Sequence, residues 1–392
     1  MINKKLGLYI HIPFCIKKCS YCDFLSFPAT EPVKEQYVKQ LVKELEVRSA
    51  AFKDFSVDTV FLGGGTPSVL EERQIAEIME TVKKSFTLEE KTEITMEMNP
   101  GTVNEEKLRG YYKAGINRAS FGVQSLQNNE LKLLGRIHTV EDFLENYETA
   151  RKVGFTNINI DLMSALPNQT LKDVQKNLKE AVKLSPEHLS CYGLIIEEGT
   201  PFYQAYEEQE VRRQAGEERQ EDALPTEQLE REMYQWISDF LTEQGYMHYE
   251  ISNYAKPGRE CKHNLKYWER KEYLGVGLGA ASFWGEMRLN NVRTLQDYLK
   301  TDIRGDVERL VEEKEVIDET AAMEEFMFLG LRKLQGISQK EFYESFGKEY
   351  MQVYGKVHEK MICQGLLEEE GDMVRLSKRG IDVSNYVMGE FM

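Results

Sequence analysis

From residue 1 to about 196 the chain repeats one pattern, a short run of β-branched and apolar residues followed by a stretch with helical period. The runs that read as strands are Leu6–Ile12, Val57–Leu62, Glu93–Met98, Arg118–Val123, Asn157–Leu162 and His188–Ile195. Between them lie helical stretches at 33–50, 71–85, 104–113, 140–152 and 171–183, with Ser68, Thr102 and Thr139 as expected N-terminal caps. Strands separated by a helix's length of chain need crossovers, and crossovers make neighbouring strands parallel. Six such repeats predict an α/β fold whose parallel sheet curves into a barrel or partial barrel. In that architecture chemistry collects at the carboxyl ends of the strands.

The first strand end is where the sequence is densest in chemistry. Cys15, Cys19 and Cys22 fall within eight residues of one another, directly after Pro13. A loop can turn several thiolates toward one centre, whereas a helix would spread them around its circumference. Structural zinc needs a closed set of four ligands, and the chain has no second CxxC or HxxxH pair. Ferredoxin-type clusters also use four cysteines, but the position two after Cys22 is Phe24. Three thiolates leave one iron of a cubane cluster open. Free thiols at this density invite oxidation unless something ligates them. Cys191, Cys261 and Cys363 are isolated and read as small core hydrophobes.

Later strand ends carry further candidates. Phe61 to Pro67 contains Gly63, Gly64, Gly65 and Thr66, glycines that let backbone approach a ligand and a hydroxyl that can bind one. Glu97, Gln124 and Asp161 follow at the ends of the third, fourth and fifth strands.

The Cx3Cx2C spacing resembles that of the radical S-adenosylmethionine (SAM) superfamily. The ordered series Tyr-Ile-His-Ile-Pro-Phe-Cys, Gly-Gly-Gly-Thr-Pro, Glu-x-Asn-Pro, Ser-Phe-Gly-Val-Gln-Ser and Ile-Asp-Leu is similar to the branch that holds oxygen-independent coproporphyrinogen III dehydrogenase and its HemW-type relatives, which are haem chaperones. The resemblance implies a [4Fe-4S] cluster on Cys15, Cys19 and Cys22. The open iron would be chelated by SAM, which the reduced cluster of such enzymes cleaves to a deoxyadenosyl radical. It also implies Tyr9 and Tyr21 near SAM, Gly64, Gly65 and Thr66 against its methionine part, and Glu97, Gln124, Arg136 and Asp161 as polar contacts. In the dehydrogenase several of these hold a second SAM; the number bound by this chain stays open.

Residues 197–228 shift in composition, and 207–222 is almost free of apolar residues, which predicts a solvated loop or exposed helix leading to a helix at 226–244. A dense aromatic block follows. Gly275, Gly277 and Ala280 satisfy G-x-G-x-x-A, but with no βαβ unit around them they read as a glycine-rich strand or turn near the SAM pocket rather than a dinucleotide site. In His263-Asn-Leu-Lys-Tyr-Trp268 an imidazole stands among large flat side chains, a setting that suits either an axial haem ligand or a hydrogen-bonded core histidine. HemW-like chaperones carry this run, so the resemblance implies His263 as a haem ligand; Cys261, two residues before it, is a less favoured second ligand. Helices at about 317–334, 339–346 and 350–364, a hairpin turning at Gly371-Asp372 and a helix from Ser377 give the last ~85 residues a winged-helix-like layout. The expected domains are 1–200, the barrel with its cluster loop; 201–305, a linker and aromatic region completing the core; and 306–392, the winged-helix-like domain.

With 66 acidic and 50 basic residues among 392, a formal charge of −16, the chain is not expected to bind nucleic acid. No stretch approaches ~18 continuous apolar residues and no signal peptide is evident, so the expected location is cytoplasmic, peripheral at the membrane during haem delivery. The function expected is that of a haem chaperone without coproporphyrinogen dehydrogenase activity, whose partners are haem and membrane-associated haem-accepting respiratory proteins; a homodimer is left open. Phe24 in place of a further cysteine, a chain that starts at its first strand, and the His263 run favour it over the dehydrogenase of porphyrin metabolism. The remaining alternative is a non-catalytic iron-sulfur regulatory protein.

Overall fold

A computed structural model describes residues 4–217, 219 and 223–392. The six expected strands form: β1 (Lys4–Ile12), β2 (Phe55–Gly64), β3 (Thr87–Met98), β4 (Arg118–Gln124), β5 (Ile158–Ser164) and β6 (His188–Gly193). They lie side by side in chain order, each parallel to the next. The helices that carry the chain back between them are α1 (Glu31–Arg48), α2 (Glu72–Ser85), α3 (Glu105–Ala114), a short α4 (Asn128–Leu133), α5 (Val140–Val153) and α6 (Leu171–Lys183). Alternation does the sorting. Along β3, Ile94, Met96 and Met98 join the apolar core, while Glu93, Thr95 and Glu97 take the other face and give the barrel a polar interior.

Of the three expected caps, Thr139 holds: its hydroxyl accepts from the Asp142 amide in a capping box on α5. The other two are corrected. Glu71 caps α2 and Asn104 caps α3. Ser68 and Thr102 hydrogen-bond to each other instead, at 2.6 Å, which ties the loop after β2 to the loop after β3.

The solvated excursion begins as a helix, α7 (Pro201–Gln214), and α8 (Glu227–Glu243) follows; residues 218 and 220–222 of that expected stretch lie outside the described residues. Then come β7 (Met247–Glu250), β8 (Asn253–Ala255), α9 (Lys262–Trp268), β9 (Tyr273–Val276), β10 (Ala281–Trp284), β11 (Met287–Asn291), α10 (Leu295–Lys300) and β12 (Val311–Val316). The glycine-rich run is β9 and its turn, and β9 extends the sheet in parallel beyond β1. Beyond it β10, β11 and β12 run antiparallel, while β8 and β7 close the other edge beside β6.

β12 falls inside the segment 306–392 yet pairs with β11, so the second core begins after it. That core packs Met327, Phe342, Tyr350, Met361 and Val374 from α11 (Glu319–Gly330), α12 (Gln339–Phe346), α13 (Tyr350–Cys363) and a hairpin with strands at Leu367–Glu370 and Met373–Leu376. The hairpin turns at Gly371, which adopts φ +63°. Among the described residues no helix is long and apolar enough to cross a membrane.

Candidate functional site

The carboxyl ends of the parallel strands open into a cavity of about 440 Å³. Cys15, Cys19 and Cys22 line it on one side, with Tyr21 among them. The loop that carries them is pinned at both ends. The Cys15 amide donates to Phe27 O at 3.1 Å and the Phe27 amide to Pro13 O at 2.9 Å. Midway, the Ser20 amide donates to Leu134 O just past α4, and Ser20 O accepts from Phe202 at the start of α7. The thiols are half-buried. Among the described residues no three His, Cys, Asp or Glu side chains close around a single metal ion.

The Gly63–Thr66 turn forms the facing wall. Gly64 adopts φ +108°, a conformation open to glycine, and a Cβ there would run into the ring of His11, whose partner across the β1–β2 ladder is the neighbouring Gly63. A Cβ on Gly65 would meet Phe14 O at 2.8 Å. The turn is thus packed against the start of the cysteine loop, with the Gly65 amide donating to Ile12 O and the Thr66 amide to Phe14 O. Thr66 Oγ1 lies 3.3 Å from Cys15 Sγ.

Three strand-end polar residues and Arg136, from the loop after α4, complete the cavity. Glu97, Gln124, Arg136 and Asp161 all line it. Glu97 accepts from the Gly64 amide at 3.1 Å, and burial together with the nearby Asp161 charge pushes its carboxyl up to about 8. Burial also raises Asp161, which accepts from Asn159 Nδ2 at 2.7 Å. Gln124 adopts a positive φ of 71° at the end of β4, and its side-chain Oε1 accepts from the Tyr192 hydroxyl at 2.8 Å. Arg136 donates to Asn99 Oδ1 at 2.6 Å, to Gly122 O, and to Cys19 Sγ at 3.4 Å. One guanidinium therefore links the cysteine loop to the ends of β3 and β4. Asn99, Ser190 and Tyr192 also line the cavity; Asn99 lies in the Glu-x-Asn-Pro motif, and the other two follow from inward alternation along β6.

Two expected site residues lie elsewhere. Tyr9 is not on the cavity wall. It stands inside the barrel, its hydroxyl 3.0 Å from His11 Nδ1 and its ring stacked on Phe61 and on His263. His11 Nε2 in turn lies 3.0 Å from Leu25 O, so Tyr9 reaches the cysteine loop through His11. His263 is 1% exposed on α9, with Nδ1 2.9 Å from Thr59 Oγ1 and Nε2 2.9 Å from the Tyr267 hydroxyl. Burial and the Lys266 and Arg118 charges lower its pKa to about 3, so the ring is neutral. Asn264, the next residue, lines the cavity. Cys261 is buried against Glu93, its thiol pushed up to about 12.

Comparison with known proteins adds family and fold. The radical SAM superfamily model matches residues 9–181, and the HemN C-terminal domain model matches residues 317–383. The chain is 35% identical to the haem chaperone HemW of Lactococcus lactis, over 100% of this chain and 98% of the relative. It is 36% identical to the HemW of Bacillus subtilis over 98% of each, and 35% identical to that of Escherichia coli over 96% and 95%. The solved structure of coproporphyrinogen III oxidase (HemN) from Escherichia coli superposes with a TM-score of 0.83, at 23% identity, over 99% of this chain and 90% of that one. That likeness is one of fold.

Proposed function

Because the chain belongs to the HemW family of the radical SAM superfamily, we propose that it is a haem chaperone that binds haem and passes it to membrane-associated acceptors, docking at the membrane as it does so. A [4Fe-4S] cluster would sit on Cys15, Cys19 and Cys22, with SAM in the cavity behind it. The observation that carries this reading is that the likeness to haem chaperones spans the whole chain, cavity and α9 together, with the three thiols, Gly64–Thr66, Glu97, Gln124, Arg136 and Asp161 lining one space.

The residues fit both cofactors. Thiols on a pinned loop offer three ligands, the glycine turn packed against that loop lines the same space, and Glu97, Gln124 and Asp161 border the same volume. When bound, cluster and SAM supply one-electron chemistry. The protein's part is positional: Arg136 donates to Cys19 Sγ and so holds the cysteine loop against the ends of β3 and β4, while the Gly64 amide fixes the orientation of Glu97. Phe24, 63% exposed, stands at the cavity mouth where a further thiol would be needed for a fully ligated cluster.

His263 is the residue we assign to haem iron. Its neutral ring has a nitrogen lone pair to give, but the Tyr267 and Thr59 hydroxyls hold both nitrogens, so ligation exchanges the Tyr267 contact for iron. The test is an anaerobic haem titration of cluster-reconstituted protein, followed by absorbance, for wild type and His263→Ala. Saturable one-to-one binding that weakens in the variant supports the reading; a wild type that binds no haem ends it.

A further inference from the structure

A second cavity, of about 590 Å³, lies at the amino ends of β1 and β2, away from the cysteines. Its walls carry six cations, Lys4, Lys5, Lys262, Lys266, Arg270 and Lys271, against three carboxylates. On a chain of formal charge −16 this is a local reversal of sign. Half of the cations are committed elsewhere. Lys266 is largely buried and pairs with Asp58 at 2.7 Å, Lys5 lies 3.4 Å from Glu89, and Arg270 binds Glu325 at 2.8 Å as well as Glu286. Among the described residues Lys4, Lys262 and Lys271 have no ion-pair partner. Lys4, which lies over the Phe55 ring, Lys262 and Lys271 outnumber Glu269 and Glu272, the two cleft carboxylates that also have no ion-pair partner among the described residues, so the concave cleft keeps a positive excess. Beside them Leu265 and the lysine stems give the cleft an apolar lining.

The cleft and the cysteine cavity share a wall. On α9, Asn264 faces the cysteine cavity while Lys262, Leu265 and Lys266 face the cleft, and His263 is buried between the two sets. A ligand held in the cleft therefore lies against the helix that bears His263. The cleft asks for a molecule with an apolar body and anionic groups along one edge. Haem has that form, a flat macrocycle with two propionate carboxylates on one side.

We infer that this cleft anchors haem through its propionates, on Lys262, Lys271 and Lys4, with the macrocycle against Leu265. The inference rests on the haem-chaperone reading and adds to it a binding surface on the outer side of α9.

The test titrates wild type and the double variant Lys262→Glu/Lys271→Glu with haem and, separately, with haem dimethyl ester, whose propionates are masked. Both lysines are exposed, so the exchange leaves the cores intact. Reversing two charges at a carboxylate site is expected to weaken haem binding about tenfold or more. Ester binding should be equal in the two proteins, and added salt should weaken haem binding in wild type only. Wild type that binds haem and its ester equally well, or a double variant with wild-type haem affinity, overturns the inference and leaves the chaperone reading standing. Wild type that binds neither molecule overturns the chaperone reading itself. Sedimentation with phosphatidylglycerol vesicles separates the other anion source: loss of vesicle binding in the double variant with haem affinity retained would assign the cleft to lipid headgroups and reject the proposal.

Discussion

The Nε2 of His263 and the hydroxyl of Tyr267 lie 2.9 Å apart, one helical turn along α9. Whichever atom donates, the bond occupies the nitrogen that would face iron, while Thr59 occupies the other. Tyr267→Phe removes that competitor and keeps the ring that packs against His263 and Tyr273. A net hydrogen bond is worth about 1 kcal/mol, so haem affinity should rise by about fivefold in Tyr267→Phe. The absorbance titration reads this directly. Equal or weaker binding in the variant would mean that the hydroxyl supports the haem-bound state rather than competing with it.

The thiols sit on a half-buried loop outside the hydrophobic clusters, held by backbone hydrogen bonds that an alanine leaves in place. Cys19→Ala is therefore expected to fold, with unchanged far-ultraviolet circular dichroism. After anaerobic reconstitution the wild type should carry about four irons per chain and the variant less than half of that. A variant that retains the full iron content and the electron paramagnetic resonance signal of the reduced wild type would remove Cys19 from the ligand set.

Glu97 is expected to make SAM binding depend on pH. Four features face it: the Gly64 amide from the glycine turn, Asp161 on β5, Arg118 on β4 and Tyr9 on β1. With its pKa up to about 8 from an ordinary 4.5, the folded protein holds a proton that the unfolded chain has lost across that window. Stability from this group is accordingly greatest below about 4.5, declines as pH rises, and levels off above about 8. SAM held in this cavity would bring positive charge and favour the ionised carboxylate, so its binding should release a proton and strengthen with pH up to about 8, by at most about tenfold per unit. Isothermal titration in buffers of different ionisation enthalpy measures the proton. Glu97→Gln should abolish both the release and the slope, and a slope that survives the substitution would assign it to another group.

The barrel was legible because its strands and helices differ in period, and because each crossover fixes a parallel neighbour. The cysteine loop, the glycine turn and the residues from Glu97 to Asp161 were legible as strand ends. Less readable were features set by packing across the chain. Ser68 and Thr102 look like helix caps locally, but their hydroxyls find each other between two loops. Tyr9 shares a motif with Cys15, yet alternation along β1 turns it into the barrel beneath the cavity. His263 and Asn264 are adjacent, and the turn of α9 buries one and presents the other to the cavity. A helix of seven residues carries too little periodicity to show which side faces where.

One buried carboxylate holds the late strands to the first helix. Glu44 on α1 is fully buried and accepts from Arg48 Nε at 2.9 Å, Asn291 Nδ2 at 2.8 Å, the Gly277 amide at 2.9 Å and the Tyr298 hydroxyl at 2.7 Å. Arg48 also donates to Asn291 Oδ1, which closes the network onto β11. These donors come from α1, the turn after β9, the end of β11 and α10, so a single side chain fixes the edge that extends the sheet beyond β1. Removing it leaves a buried guanidinium and several donors without their acceptor. Glu44→Ala should cost about 3–5 kcal/mol, read as a lower midpoint in urea unfolding. Arg48→Ala leaves the other donors to the carboxylate and should cost less. If the two variants lose the same stability, the ion pair alone accounts for the effect and the hydrogen bonds to Gly277, Asn291 and Tyr298 contribute nothing to holding β9 and β11 in place.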